Sequence, residues 1–384
     1  MRLRTVAVAA TSVLGAGTAA LAAGRYAADA ALRPPHRRPD GTGPPPAGFE
    51  GTRLTVHSHG DGKVAVTRSL AAHLPGVYGL TGRGTHAVVG RVLDSEAEQA
   101  HVHVVVRELD RISRGQLTTG STVRLTPQVH IGDPGEALGL DYAEVEIPGE
   151  LGTLPAWFLP GDRNTWVITV HGLGATREHP MVVFPFYRRQ RMPVLDIAYR
   201  GDPGAPGPLD GISHLGDTEW RDLDAAIRYA VRYGARRVIL HGWSSGATMA
   251  LHAALNSSLR ERISGLVLDS PVLDWQRTLR ALAGTRGTPR AVLPLVIRAV
   301  QGRTGLPEGQ LAAVADPARL RVPTLLLHGP DDTIAPWDSS RALADSREDL
   351  ITLHRVTKAP HAAMWNVDPH DYEETVRRFI TPLM

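Results

Sequence analysis

From about residue 141 onward, short apolar runs alternate with helix-patterned segments, and this alternation limits the possible folds more than any other property of the chain. The segment "YAEVEIPGELGTLPAWFLPG" reads as a hairpin, and "TWVITVHG", "MPVLDIAYRG", "RRVILHGWS", "ISGLVLDSP", "VPTLLLHG" and "LITLHRVT" read as strands. Between them "REHPMVVFPFYRRQ", "GDTEWRDLDAAIRYAVRYG", the stretch from Gly246, the section from Trp275 to Ala315, "SSRALADS" and "DYEETVRRFI" read as helical. Parallel strands need a long crossover, usually a helix, so this order predicts an α/β fold with a mostly parallel sheet covered on both faces. All-apolar stretches such as "VLDIA" and "TLLL" fit strands buried on both sides.

The residues upstream have a different texture. Residues 50–140 alternate short β-prone runs, "GTHAVVGRVL" and "AHVHVVVREL" among them, with the turn signals "GDG", "GRG" and "GDPG", and predict a small β-rich accessory region. His101 and His103 share a face of one such strand, but no third ligand accompanies them, so no metal site is expected. Before this region, "LRPPHRRPDGTGPPPAG" carries six prolines, which predicts a semi-extended linker over residues 32–49. At the amino terminus Arg2 and Arg4 precede the uncharged run "TVAVAATSVLGAGTAALAAG". Residues 1–31 therefore read as an export signal, with a small-x-small site at Ala20-Leu21-Ala22, or as a retained membrane anchor. Either reading predicts that the catalytic region, residues 141–384, lies outside the cytoplasm.

Composition removes several classes of function. The 384 residues include no cysteine, which excludes disulfides, thiolate chemistry and cysteine-ligated zinc. Net charge is only +3 and no long basic block occurs, so no electrostatic footprint for nucleic acid is present.

The chemistry concentrates at "VILHGWSSGATMALHAAL", where a strand pattern becomes a helix pattern within Gly242-Trp243-Ser244-Ser245-Gly246. A Gly-x-Ser-x-Gly turn between a buried strand and a helix holds its serine in a strained, exposed position. Ser244 is the candidate nucleophile, and the N–H of Ser245 a candidate oxyanion donor. A helix cap would also use a serine, but does not require glycine on both sides. A serine hydroxyl needs a base, and the base an orienting carboxylate. Strand-end loops downstream supply Asp331 and Asp332 in "TLLLHGPDDTIAP" and His361 in "HRVTKAPHAAMWNVDP", giving the chain order Ser, Asp, His. Asp274, after "ISGLVLDSP", is a further candidate acid. His171-Gly172 ends an earlier strand, and the glycine lets the chain fold back so that the N–H of Leu173 can face the serine as a second oxyanion donor. Trp243, Trp365 and Trp275 fall on loops or strand ends, where they either line an acyl pocket or pack between helix and sheet. Trp220 and Arg221 open a helix and read as loop-holding residues, and residues 278–301 read as core helix or a modest lid.

The motifs "HGLG" at 171, "AYRGDPGAP" at 198, "LGDTEWRDLDAAIRYA" at 215, "HGWSSGA" at 241, "LHGPDDTIAP" at 327 and "HAAMWNVDP" at 361 together resemble the α/β-hydrolase superfamily. Within it, the chain resembles the branch near dienelactone hydrolases and prolyl-oligopeptidase-type serine hydrolases. The resemblance implies a mostly parallel eight-stranded sheet with helices on both faces. It also favours Asp332 as the acid, since the residue before "TIAP" sits where the second acid of a Pro-Asp-Asp run turns inward. The implied reaction is acyl transfer from a small-molecule ester to water, with no cofactor or metal. The same three residues would serve a peptidase, an amidase or an acyltransferase, and a noncatalytic binding protein on this fold remains the alternative of another class. Residues 50–140 do not resemble the β-propeller of prolyl oligopeptidases, which weighs against a peptidase. Oligomeric state is not legible in the sequence.

Overall fold

The computed structural model describes residues 22, 24–33, 45–51, 53–93, 103–304 and 316–384. The β-rich accessory region closes on itself. Strands β1 (Leu54–Gly60), β2 (Lys63–Thr67), β3 (Tyr78–Gly82), β4 (Thr85–Val92), β5 (Val104–Arg114) and β6 (Thr122–Thr126) form a closed barrel in the order β1-β2-β5-β4-β3-β6. Every pairing in it is antiparallel. The β1–β2 hairpin turns at Asp61-Gly62, whose φ values of 48° and 68° are the left-handed pair that a two-residue turn matching strand twist requires. Alternate residues such as Leu54 and Val56, or Val64 and Val66, join one buried apolar cluster. Closure leaves no unpaired edge for another chain to extend. The Arg107 guanidinium, buried on β5, donates to the carbonyls of Ala72, Leu74, Gly76 and Gly90 and so holds the 71–76 connection onto the barrel.

The second sheet has eight strands in the order β14-β13-β12-β11-β9-β10-β8-β7. They are β7 (Ala143–Pro148), β8 (Thr153–Leu159), β9 (Thr165–Val170), β10 (Val194–Ile197), β11 (Arg237–Trp243), β12 (Ile263–Asp269), β13 (Thr324–His328) and β14 (Ile351–Arg355). The sheet is mixed: β9 to β14 pair in parallel, whereas β8 runs antiparallel to both β7 and β10. Its period-two side chains divide two cores. Ile168, Leu240, Leu266 and Leu326 enter one cluster, while their neighbours Val167, Ile239, Val267 and Leu325 enter the other. Numbering the helices that matter below, α1 (Phe184–Arg189) and α7 (Pro369–Ile380) cover the second cluster. Helices α2 (Trp220–Arg232), α3 (Ser245–Asn256) and α6, defined as Trp337–Asp345, cover the first.

Some local readings change. The helix expected over "REHPMVVFPFYRRQ" is a 3-10 turn, Pro180–Val183, followed by α1, because Pro180 and Pro185 remove backbone donors within it. The expected helical section after Trp275 is two helices, α4 (Trp275–Thr285) and α5 (Leu293–Thr304), broken where Gly287 and Pro289 fall; residues 305–315 lie outside the described part. His101 also lies outside it, and His103 is exposed at the turn before β5. So do residues 1–21 and 34–44, on which the signal or anchor and most of the proline-rich linker were read. Among the described residues no helix is long and apolar enough to cross a membrane. Residues 24–32 are helical, and Ala28, Ala31 and Leu32 are fully buried against the body of the protein.

Candidate active site

At the end of β11 the chain must turn from strand to helix without the backbone of α3 colliding with β9. Gly246 makes this possible: a Cβ there would sit 2.3 Å from the Val170 carbonyl oxygen and 2.5 Å from that of His171. Ser244 occupies the turn with φ 53° and ψ −118°, a conformation that non-glycine residues avoid and that costs of order 1–3 kcal/mol. Its backbone N–H donates to the Asp269 carbonyl at 2.8 Å, which fixes the strained residue to the end of β12.

Three strand-end loops converge on this serine. The Ser244 hydroxyl lies 2.7 Å from His361 Nε2, and His361 Nδ1 lies 2.7 Å from Asp332 Oδ2. With Nδ1–H donating to the carboxylate, Nε2 is the acceptor for the serine proton. Both the imidazole and the Asp332 carboxylate are withdrawn from solvent. Burial alone would lower the His361 pKa, but the charge and hydrogen bond of Asp332 outweigh it and hold the imidazole above its ordinary value. Burial would likewise raise Asp332, yet His361 and His328 keep its carboxyl far below the usual range. Its oxygens are fully occupied. Oδ1 accepts from the backbone N–H groups of Ile334 and Ala335 at 2.8 and 2.9 Å, and Oδ2 also contacts His328 Nε2 at 3.0 Å. His328 Nδ1 is in turn 2.8 Å from the Ser340 hydroxyl of α6.

The loop after β9 runs beside the serine. A Cβ at Gly172 would stand 2.6 Å from Ser244 Cβ and 2.9 Å from the Trp243 carbonyl oxygen, so only glycine allows this approach. Leu173 follows it. Neither the Leu173 nor the Ser245 backbone N–H has an acceptor among the described residues. Two open amides beside a hydroxyl form the donor set an oxyanion would need. The loop is pinned by His171, whose Nε2 meets Asp202 Oδ2 at 2.8 Å and whose ring stacks on Tyr199. Asp202 also accepts from the Tyr199 N–H, so the "HGLG" and "AYRGD" segments hold each other.

The other candidates fall elsewhere. Asp331 is turned outward, accepting from the Lys358 N–H at 2.7 Å, and Asp274 caps α4 through the Arg277 N–H at 2.9 Å. The tryptophans Trp243 and Trp365, expected either to line an acyl pocket as substrate-binding residues or to pack between helix and sheet, lie among the core residues of the α1/α7 face; Trp243 stacks on His241 and Trp365 reaches Glu373. Period-two alternation explains Trp243: it ends β11 with its side chain on the face opposite the first cluster. Trp275 instead joins the apolar cluster that includes Leu173. Trp220 stacks on His252, with the Arg221 guanidinium over its ring. Among the described residues no group of three or more His, Asp or Glu side chains could hold a metal ion.

Sequence reasoning missed three contributors. His328 belongs to the same "LLLHGPDD" run as Asp332 and could have been found from its four-residue spacing. Gly48 could not, because it comes from the proline-rich segment: a Cβ at Gly48, where φ is +86°, would meet His361 Cβ at 2.9 Å. Asn366 joins the base loop to the barrel, donating to the carbonyls of Val77 and Pro127 while its own carbonyl accepts from the Val77 N–H.

Comparison with known proteins places these features. A family model described as a domain of unknown function, DUF8805, matches residues 55–126, the extent of the barrel. No curated protein matches. Among solved structures, the esterase Pf2001 of Pyrococcus furiosus is similar in three crystal forms, at 21%, 20% and 23% identity with TM-scores of 0.53, 0.53 and 0.54. Each alignment covers 66% of this chain and 97%, 94% and 96% of the esterase. Likeness at this identity speaks to architecture, and with the mixed sheet, its two helical layers and the glycine-flanked serine turn it establishes that the chain carries the α/β-hydrolase fold.

Proposed function

We propose that the protein is a serine hydrolase that cleaves carboxylic esters of small molecules through an acyl-enzyme. The reading rests above all on one observation, the continuous chain from Ser244 Oγ through His361 to Asp332 with both hydrogen bonds at 2.7 Å. In this reading Ser244 attacks the ester carbonyl as His361 Nε2 takes its proton. The carbonyl oxygen becomes an oxyanion held by the N–H groups of Leu173 and Ser245, each such donor contributing about 3 kcal/mol to the barrier reduction. Collapse of the tetrahedral intermediate expels the alcohol, which receives the proton from His361. Water then gives its proton to His361 and attacks the acyl-enzyme, and the second collapse returns that proton to Ser244. Asp332 stays ionised throughout and steadies the imidazolium.

An ester is favoured as substrate by the similarity to an esterase. The experiment is a panel of p-nitrophenyl esters set against matched anilides. Ester turnover that falls on the order of 10⁴-fold or more in Ser244→Ala, with anilides left intact, is the expected result. Anilide cleavage at comparable rates would make the protein an amidase instead. We further place the catalytic region outside the cytoplasm, on the strength of Arg2, Arg4 and the apolar run that follows, and cell fractionation of the full chain tests it.

A further inference from the structure

Several loops at the strand ends beside the candidate site contribute to one apolar cluster: Leu173 after β9, Leu215 after β10, Val272 after β12 and Ile334 after Asp332. Helices α4 and α5 close its far side through Trp275 and Val296. Leu173, which follows the glycine packed against Ser244, puts its side chain in this cluster, so the cluster borders the site where the acyl chain of a substrate would lie in the ester-hydrolase reading. The place is already taken. Ala28, Ala31 and Leu32, spaced as one face of the 24–32 helix, are buried in it at 0%, 0% and 1% exposure. The small alanines let the helix sit close. Its carboxyl end is fixed by the Ser213 N–H donating to the Leu32 carbonyl at 2.8 Å, and its start packs Gly24 against Leu295 of α5.

The same upstream stretch touches the site a second time. Pro46 lies against Gly174 of the oxyanion loop, and Gly48 lies against His361. Phe49 then enters the barrel core beside Tyr78, while Glu50 accepts from the Gly48 N–H and adds to the charge that raises the His361 pKa. A segment that reads in sequence as leader and spacer thus meets both the base and the acyl side.

We infer that the helix over residues 24–32 is a cap that sets acyl-chain specificity, filling the strand-end cluster so that short acyl groups enter freely and long ones only when it is displaced. This rests on the ester-hydrolase reading and names the substrate feature it selects. None of Ala28, Ala31 or Leu32 belongs to the reacting groups.

The test measures kcat/KM for p-nitrophenyl acetate and octanoate on the full chain. Ala28→Glu/Leu32→Glu places two charges on the buried face and should lift the octanoate-to-acetate ratio by about tenfold or more, with acetate turnover within a few-fold of wild type. Tyr26→Glu, on the exposed face, should leave the ratio unchanged. Because the chain has no cysteine, Gly24→Cys/Leu295→Cys offers a reversible lock that holds the cap on α5 once the helix start eases outward from the 2.9 Å Cβ separation to disulfide distance, about 3.8 Å. Oxidation should lower the ratio and reduction should restore it. Equal ratios in the displaced variant and wild type, or in the oxidised and reduced lock, would overturn the cap while acetate hydrolysis continued. Absence of acetate hydrolysis in every form would overturn the hydrolase reading itself.

Discussion

His328 and His361 hold the same oxygen of Asp332, at 3.0 and 2.7 Å, the first from the end of β13 and the second from the loop after β14. His328 comes from the strand end and is fixed by Ser340, so the carboxylate has an orienting partner besides the base. His328→Phe should leave Ser244 and His361 in contact but lower kcat by about ten- to a hundredfold, with KM little changed, because the loss falls on the imidazolium formed in the transition state. Steady-state ester kinetics check this, and His328→Gln, which can still donate to Asp332, should recover most of the rate.

The pH profile follows from the same pair. His361 acts as base only when neutral, and Asp332 holds its pKa above the ordinary 6.5. The acid limb of kcat/KM should therefore have its midpoint above 6.5, and Asp332→Asn should move it downward while reducing turnover on the order of 10⁴-fold. The linkage to stability has the opposite sign for the two partners. The raised imidazole stabilises the fold fully below 6.5 and loses that contribution as pH rises through its folded value. The depressed carboxylate stabilises above 3.8 and loses its contribution as pH falls toward its folded value. Thermal melts across pH for wild type and Asp332→Asn distinguish the two.

Asp269 gives a second pH signature. Burial pushes its carboxyl up to about 7, against a hydrogen bond from Ser270 that favours the charged form. A raised acid destabilises the fold as pH climbs from 3.8 through 7, so Asp269→Asn should raise Tm relative to wild type at pH 8 and have much less effect at pH 5. An equal shift at both values would mean that the carboxyl is not neutral in the folded protein at low pH.

Much of this site was legible before the structure. Ser244, Asp332 and His361 follow from glycine-bracketed or strand-end positions, because the sheet's parallel order delivers successive loops to one rim. What stayed hidden depends on non-local contacts. Six short strands with turn signals do not say whether they close, since closure is decided by the pairing of β1 with β6, more than sixty residues apart. The tryptophans stayed open between pocket and core because aromatic residues at strand ends face either layer with equal local propensity. Gly48 was read only as part of a spacer, and its proximity to His361 comes from the path of the chain between helix and barrel.

That path gives the barrel a mechanical role that can be measured. Asn366 is nearly inaccessible and bridges the base loop to Val77 and Pro127. Asn366→Leu leaves both carbonyls without this donor, which should destabilise by about 1–3 kcal/mol for each buried acceptor left unpaired. Hydrogen exchange should then accelerate in residues 359–367 and in the β3 strand together. Faster exchange in only one of the two would separate barrel and base loop mechanically.

Gly172→Ala tests the approach of the oxyanion loop. Its Cβ would fall within contact distance of Ser244 Cβ and the Trp243 carbonyl, so the loop must move away. Ester turnover should drop about a hundredfold or more as one donor is lost, with a stability cost of about 1–3 kcal/mol. Denaturant melts beside kinetics separate the two effects.

The most direct measurement is covalent. Treating the folded protein with a fluorophosphonate probe and mapping the adduct by peptide mass spectrometry should place it on Ser244, eliminate it in Ser244→Ala and strongly reduce its rate in His361→Ala. A folded protein that acquires no adduct, or acquires it on another residue, would contradict the account.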